Sequence, residues 1–142
     1  MTSPERHRAQ QFLKAKESRE QRAALLLGEA QRALQDAEAR LETLLRWKQD
    51  YSHQQTNLRQ VRHVGVLNGW RAFLDGLESQ RLRAEQELEG LRAAVEQRRQ
   101  QYLACLQERK MADRYQEHIL AAEAELARKQ EQRAADELAA QR

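Results

Sequence analysis

The chain has 142 residues, of which 33% are charged, 40% hydrophobic and 5% aromatic, with one proline, five glycines and one cysteine. That is the length of one domain, with too little apolar mass for a globule with a thick core; the profile is that of long helices or a coiled coil. Its 25 basic and 22 acidic residues are interspersed, for a net charge of +3, which describes solvated helix faces and excludes a continuous basic footprint for nucleic acid.

The opening TSPE reads as a helix start, with Thr2 and Glu5 as a capping box and Pro4 in the first turn, where its missing N–H costs nothing. From residue 4 to about 60 only Gly28 interrupts strong helix formers. The passage HVGVLNGW, residues 63–70, then breaks the charged pattern. It predicts a turn over about 61–68, with Asn68 as the N-cap of a second helix running from about 69 to 138.

Spacings of three and four fall on Ala23, Leu27, Ala30, Leu34, Ala37, Leu41, Leu44, Lys48, Tyr51, Gln55 and Leu58 in the first helix. In the second they fall on Trp70, Leu74, Leu77, Arg81, Ala84, Leu88, Leu91, Val95, Arg98, Tyr102 and Cys105. Mostly apolar rows over more than four heptads per helix argue for a coiled coil and against disorder. A short turn makes the helices antiparallel. One register then pairs Leu44 with Ala84, Leu41 with Leu88, Leu34 with Val95 and Ala23 with Cys105, and sets Glu20 against Arg109. The expected fold is all-α, a long two-helix antiparallel coiled-coil hairpin with an overhanging C-terminal helix, in a single domain over residues 1–142.

Three layers are polar: Lys48 with Arg81, Gln55 with Leu74, and Ala30 with Arg98. Long basic stems can cover apolar surface with their charge in water, and polar layers fix register. Past Cys105 the row is expected to change phase by a three-residue insertion, onto Ala112, Tyr115, Ile119, Ala122 and Leu126. Residues beyond about 124 would extend past the first helix by about 25 Å.

Little points to chemistry. There is no glycine-rich phosphate loop, cysteine pair, HExxH or GxSxG. His53, expected opposite Asp75 with His63 in the nearby turn, reads as exposed polar surface rather than as metal ligands, and Cys105 as an apolar filler of the seam. Two paired helices enclose no pocket in which carboxylates could be tuned, so no enzyme, cofactor or metal is expected. No apolar run approaches the roughly 18 residues of a membrane span. The opening MTSPERHRAQQ lacks the apolar stretch of a secretory signal, and a cytoplasmic protein is expected.

What remains is surface. Trp47 and Phe73 both fall just before an inward position, which places them on one edge near the turn, and aromatics are favoured interface residues. Leu25, Leu45, Leu82 and Leu103 also lie off the seam. Between Asp50 and Asp75 there is no acid, while Arg59, Arg62 and Arg71 make the turn locally basic.

LETLLRWKQDY, a short turn and then GWRAFLDGLESQ resemble the flagellar export protein family FliJ, over the whole chain in layout and specifically over residues 40–84. The resemblance implies a cytoplasmic, non-enzymatic coiled-coil stalk of the type III export apparatus, peripheral to the inner membrane through its partners. Those would be the hexameric export ATPase (FliI-like), the cytoplasmic part of the export gate protein (FlhA-like) and export chaperones. The gate-binding stripe would carry over onto Leu44, Trp47, Tyr51, Phe73 and Leu77, and onto Arg40, Gln80 and Ala84, where this sequence departs from the family pattern. The end bearing both termini, roughly residues 8–25 and 108–135, would enter the ATPase ring. A YscO-like stalk of a virulence secretion system shares this architecture. An RNA-binding helical hairpin, such as the arm of seryl-tRNA synthetase, and a plain structural spacer are the readings of other classes.

Overall fold

The structure is a computed structural model that describes residues 3–58 and 64–141. It has two helices, α1 over Pro4–Leu58 and α2 over Val64–Ala140, and no strand among the described residues. The expected all-α fold of two long paired helices is what forms. The chain divides into two compact units, one of Met1–Leu25 with Gln100–Arg142 and one of Leu26–Arg99.

α1 starts where the sequence places it, with a different cap. Ser3 Oγ accepts from the Arg6 N–H at 3.1 Å, and the His7 N–H donates to the Ser3 carbonyl at 3.0 Å. Ser3 is therefore the N-cap, Pro4 the first helical residue, and Glu5 lies in the first turn, where its charge suits the helix dipole. Thr2, expected to cap, lies outside the described residues. α1 passes through Gly28 without a break, and no described glycine has a positive φ.

α2 starts earlier than expected. Val64–Asn68 is already helical, so Asn68 is not an N-cap but lies inside the second turn of α2. Asn68 is exposed, where a polar side chain interior to a helix costs little, and Val64 and Val66 add exposed surface beside it. The rest of the expected turn, with Arg59, Arg62 and His63, lies outside the described residues.

In the unit Leu26–Arg99, Ala37, Leu77 and Leu88 are buried, and the other positions of the predicted rows, from Leu27 to Tyr51 and from Trp70 to Arg98, are half-buried. Buried leucines contribute about 1.5–3 kcal/mol each, and the alanines between them let the helices approach. Arg40–Glu87 and Lys48–Glu78 bridge the helices at sequence separations of 47 and 30. A separation that falls toward the end of α1 and the start of α2 means that the two helices run antiparallel.

In the unit of Met1–Leu25 with Gln100–Arg142 the same pattern holds. Ser3–Glu123, Lys16–Glu108 and Glu20–Arg109 span 120, 92 and 89 residues. The predicted Glu20–Arg109 pair is present, with Arg109 Nε donating at 2.7 Å. One expectation fails here. The row does not change phase after Cys105: it continues through Arg109, Ala112, Gln116, Ile119 and Glu123, all buried or half-buried, while Tyr115, Ala122 and Leu126 are exposed. Two of its polar residues are satisfied in their inward places, Arg109 by Glu20 and Asp113, and Glu123 by Ser3 Oγ and by Arg6 at 3.2 Å. The two rows share Ala112 and Ile119, and apolar content favours the one through Tyr115, Ala122 and Leu126, which is not the one that turns inward. Beyond Glu123 the described residues of α2 are all exposed, which is the expected overhang.

Candidate docking surface

The unit Leu26–Arg99 holds every residue of the predicted stripe. Tyr51 is the hub. It stands three residues past Lys48 in the α1 row, and its ring meets Phe73 of α2 edge-on, with centroids 4.8 Å apart and planes at 81°. Trp70 closes the cluster, 5.5 Å from Tyr51 and 6.0 Å from Phe73. Aromatic pairs in such edge geometries contribute about 0.5–1.5 kcal/mol beyond the area they bury. Phe73 still leaves 43% of its surface in solvent.

Trp47 lies one turn before Tyr51 and is 51% exposed. With Ala39, Arg40, Thr43 and Leu44 it lines an open, mainly apolar concavity of about 390 Å³ on α1. Those positions share one face because helical residues three and four apart are neighbours. Arg40 turns one guanidinium nitrogen to Glu87 at 3.3 Å, and this exposed pair leaves the apolar floor of the concavity open.

The eight predicted residues thus separate into three groups and one lone residue. Tyr51 and Phe73 touch, and Arg40, Leu44 and Trp47 share the concavity. Leu77 and Ala84 face inward, Leu77 at 7% exposure, and support the surface without forming it. Gln80 is exposed and makes no ion pair or ring contact. Trp70 belongs to the surface cluster, although its heptad place assigns it to the core. Its indole N–H is buried with no hydrogen-bond partner among the described residues. The sequence register sets Trp70 a heptad away from the layer of Tyr51, so no spacing marks it.

Charge is organised beside this surface. The Lys48 and Arg81 layer, which the sequence leaves as two like charges, is neutralised from the flank. Glu78 accepts from Lys48 Nζ at 2.5 Å and from Arg81 Nε at 3.0 Å, and Arg81 also donates to Glu85 at 2.7 Å. Hydrogen bonds from Arg81, then from Lys48, hold the Glu78 carboxyl at about 2, below its usual 4.5. A carboxyl lowered in the folded state stabilises it while ionised. That contribution is fully present above pH 4.5 and is lost as the pH falls toward 2. Melting temperature should therefore drop across that window, and Glu78→Gln should flatten part of the drop; an unchanged acid profile in the variant would show that the pair contributes nothing. Solvent screening keeps the effect small, since both partners are part-exposed.

Among the described residues no three His, Cys, Asp or Glu side chains converge so as to hold a metal ion, and no helix is long and apolar enough to cross a membrane. The fold defines an all-helical protein of two antiparallel paired helices that carries an exposed aromatic surface. The family model described as "Flagellar FliJ protein" matches residues 6–142. The chain belongs to the FliJ family, and so to the components of the flagellar type III protein export apparatus, a family of export proteins and not of enzymes. No curated protein and no solved structure matches it.

Proposed function

We propose that the chain is a stalk that binds the hexameric export ATPase and links it to the export gate. The exposed pair Trp47 and Phe73, set about Tyr51, is the observation that supports a docking role for this part of the chain. In this reading Leu44, Trp47, Tyr51 and Phe73 meet the gate's cytoplasmic part, Leu77 and Ala84 hold the surface from beneath, and Arg40 and Gln80 lie at its margin. The ATPase takes the region near both termini, roughly residues 8–25 and 108–135. Export chaperones are further partners, and the protein works in the cytoplasm, at the inner membrane through the proteins it binds. The flagellar family match favours this over the YscO-like virulence stalk. The charge interspersion favours it over an RNA-binding hairpin, whose affinity would need a continuous basic track.

The test is catalytic turnover by a purified export ATPase hexamer with and without the full chain. Binding with a rise in turnover is expected. A hexamer that neither binds the chain nor responds to it would contradict the proposal.

A further inference from the structure

The unit of Met1–Leu25 with Gln100–Arg142 carries an aromatic surface of its own. Phe12 on α1 is 48% exposed and Tyr115 on α2 is 51% exposed. With Arg8 they line an open concavity of about 450 Å³. Neither ring packs in the seam, because Ala9, Leu13 and Lys16 take the inward places on α1, and Ala112 and Gln116 take those on α2. Met111, one turn before Tyr115, is exposed as well. Three large apolar side chains therefore stand in water here for no reason the fold supplies.

The charges around them are uneven. Lys16 Nζ stands 5.3 Å from the centre of the Phe12 ring, within cation–π range. Four acids of the unit are engaged within it, whereas Glu5, Glu17 and Glu117 make no ion pair among the described residues. Glu108 is held by Lys16 at 2.9 Å and faces Arg19 at 3.7 Å. Hydrogen bonding to Lys16 keeps its carboxyl below the usual range. Glu20 and Asp113 both bind Arg109 at 2.7 Å, and Glu123 binds Arg6. Arg8 has no ion-pair partner among the described residues, and no acid lines the concavity. Aromatic walls beside the unpaired Arg8 suit an apolar side chain with a carboxylate next to it.

We propose that this concavity docks an acidic amphipathic helix of a partner protein. One aliphatic side chain of that helix inserts between Phe12 and Tyr115, and a carboxylate on the same face pairs with Arg8. The mode is a helix laid into a groove, with Phe12 and Tyr115 as anchors. The proposal rests on the ATPase reading only for the identity of the protein that carries the helix.

The probe is a fluorescein-labelled synthetic helical peptide with leucines along one face and glutamates beside them, titrated with the full chain and read by anisotropy. A copy with lysine in place of each glutamate is the control. The acidic peptide is expected to bind, to weaken with added salt, and to lose about tenfold or more in affinity in Phe12→Ala, Tyr115→Ala and Arg8→Glu. Arg8→Glu leaves both rings in place and reverses the charge beside them, so it carries the test even if an aromatic variant loses helicity. Equal binding of the two peptides, or unchanged affinity in all three variants, overturns the proposal. So does a wild-type chain that dimerises in sedimentation and becomes monomeric in the same variants, since the occupant is then a second copy. ATPase stimulation measured in parallel separates the two claims. Peptide binding without stimulation upholds the concavity and contradicts the ATPase reading, whereas stimulation without preference for the acidic peptide does the reverse.

Discussion

Leu88→Ala is expected to destabilise the folded chain by about 2–3 kcal/mol, measured as a shift in the urea or thermal unfolding midpoint. Leu88 is 4% exposed, the most deeply buried leucine among the described residues, and the register sets it against Leu41. A two-helix seam is one layer deep. A methyl-sized remnant there leaves a gap that neighbours on only two helices must fill, so little relaxation is available. Leu82→Ala is the matched control: Leu82 is 49% exposed on the same helix, and its loss should change stability by less than about 0.5 kcal/mol. If the two substitutions cost the same, the inward face of α2 has been assigned wrongly.

The second large effect concerns binding. Replacing Trp47 and Phe73 together with alanine should weaken association with the gate's cytoplasmic part roughly a hundredfold, taking about 1.4 kcal/mol for the loss of an aromatic at each position. Phe73 also touches Tyr51, so its removal costs the fold about 1 kcal/mol through the lost ring contact. Trp47 makes no ring contact with that cluster, and Trp47→Ala alone should lower affinity while leaving the unfolding midpoint in place. Full binding by the double variant would leave the exposed aromatics without a role and favour a plain spacer.

Much of this was legible in the residues. The three-and-four spacing from Ala23 to Tyr51 and from Trp70 to Cys105 encodes which side of each helix turns inward, because only that side can bury leucine against leucine. The Glu20–Arg109 pair followed from the register alone, and so did the overhang past Glu123. Where the reading failed, local signals were misleading. Asn68 and Gly69 carry turn chemistry, but helical continuity through Val64–Asn68 prevails over that preference. After Cys105 the expected row, through Tyr115, Ala122 and Leu126, is more apolar on paper than the row through Gln116 and Glu123 that turns inward. Hydrogen bonds from the other helix to Glu123 decide between them, and no one-dimensional pattern contains those bonds. The Lys48 and Arg81 layer looked like an electrostatic defect for the same reason. Its remedy, Glu78, lies three residues from Arg81 and off the row that defines the seam. On the docking surface, heptad position identified the exposed rings of Trp47 and Phe73. It could not reveal that Trp70, an inward residue by count, joins Tyr51 and Phe73 in one cluster.

The whole account depends on α1 and α2 of one chain pairing antiparallel in a single register. Leu34→Cys with Val95→Cys, in a chain whose own Cys105 is replaced by serine, tests that register within the unit Leu26–Arg99. Mild oxidation at low protein concentration should give a disulfide within one chain, seen as faster migration on a non-reducing gel with no change in mass. Products linked only between chains would contradict the pairing and, with it, the docking surface built on it.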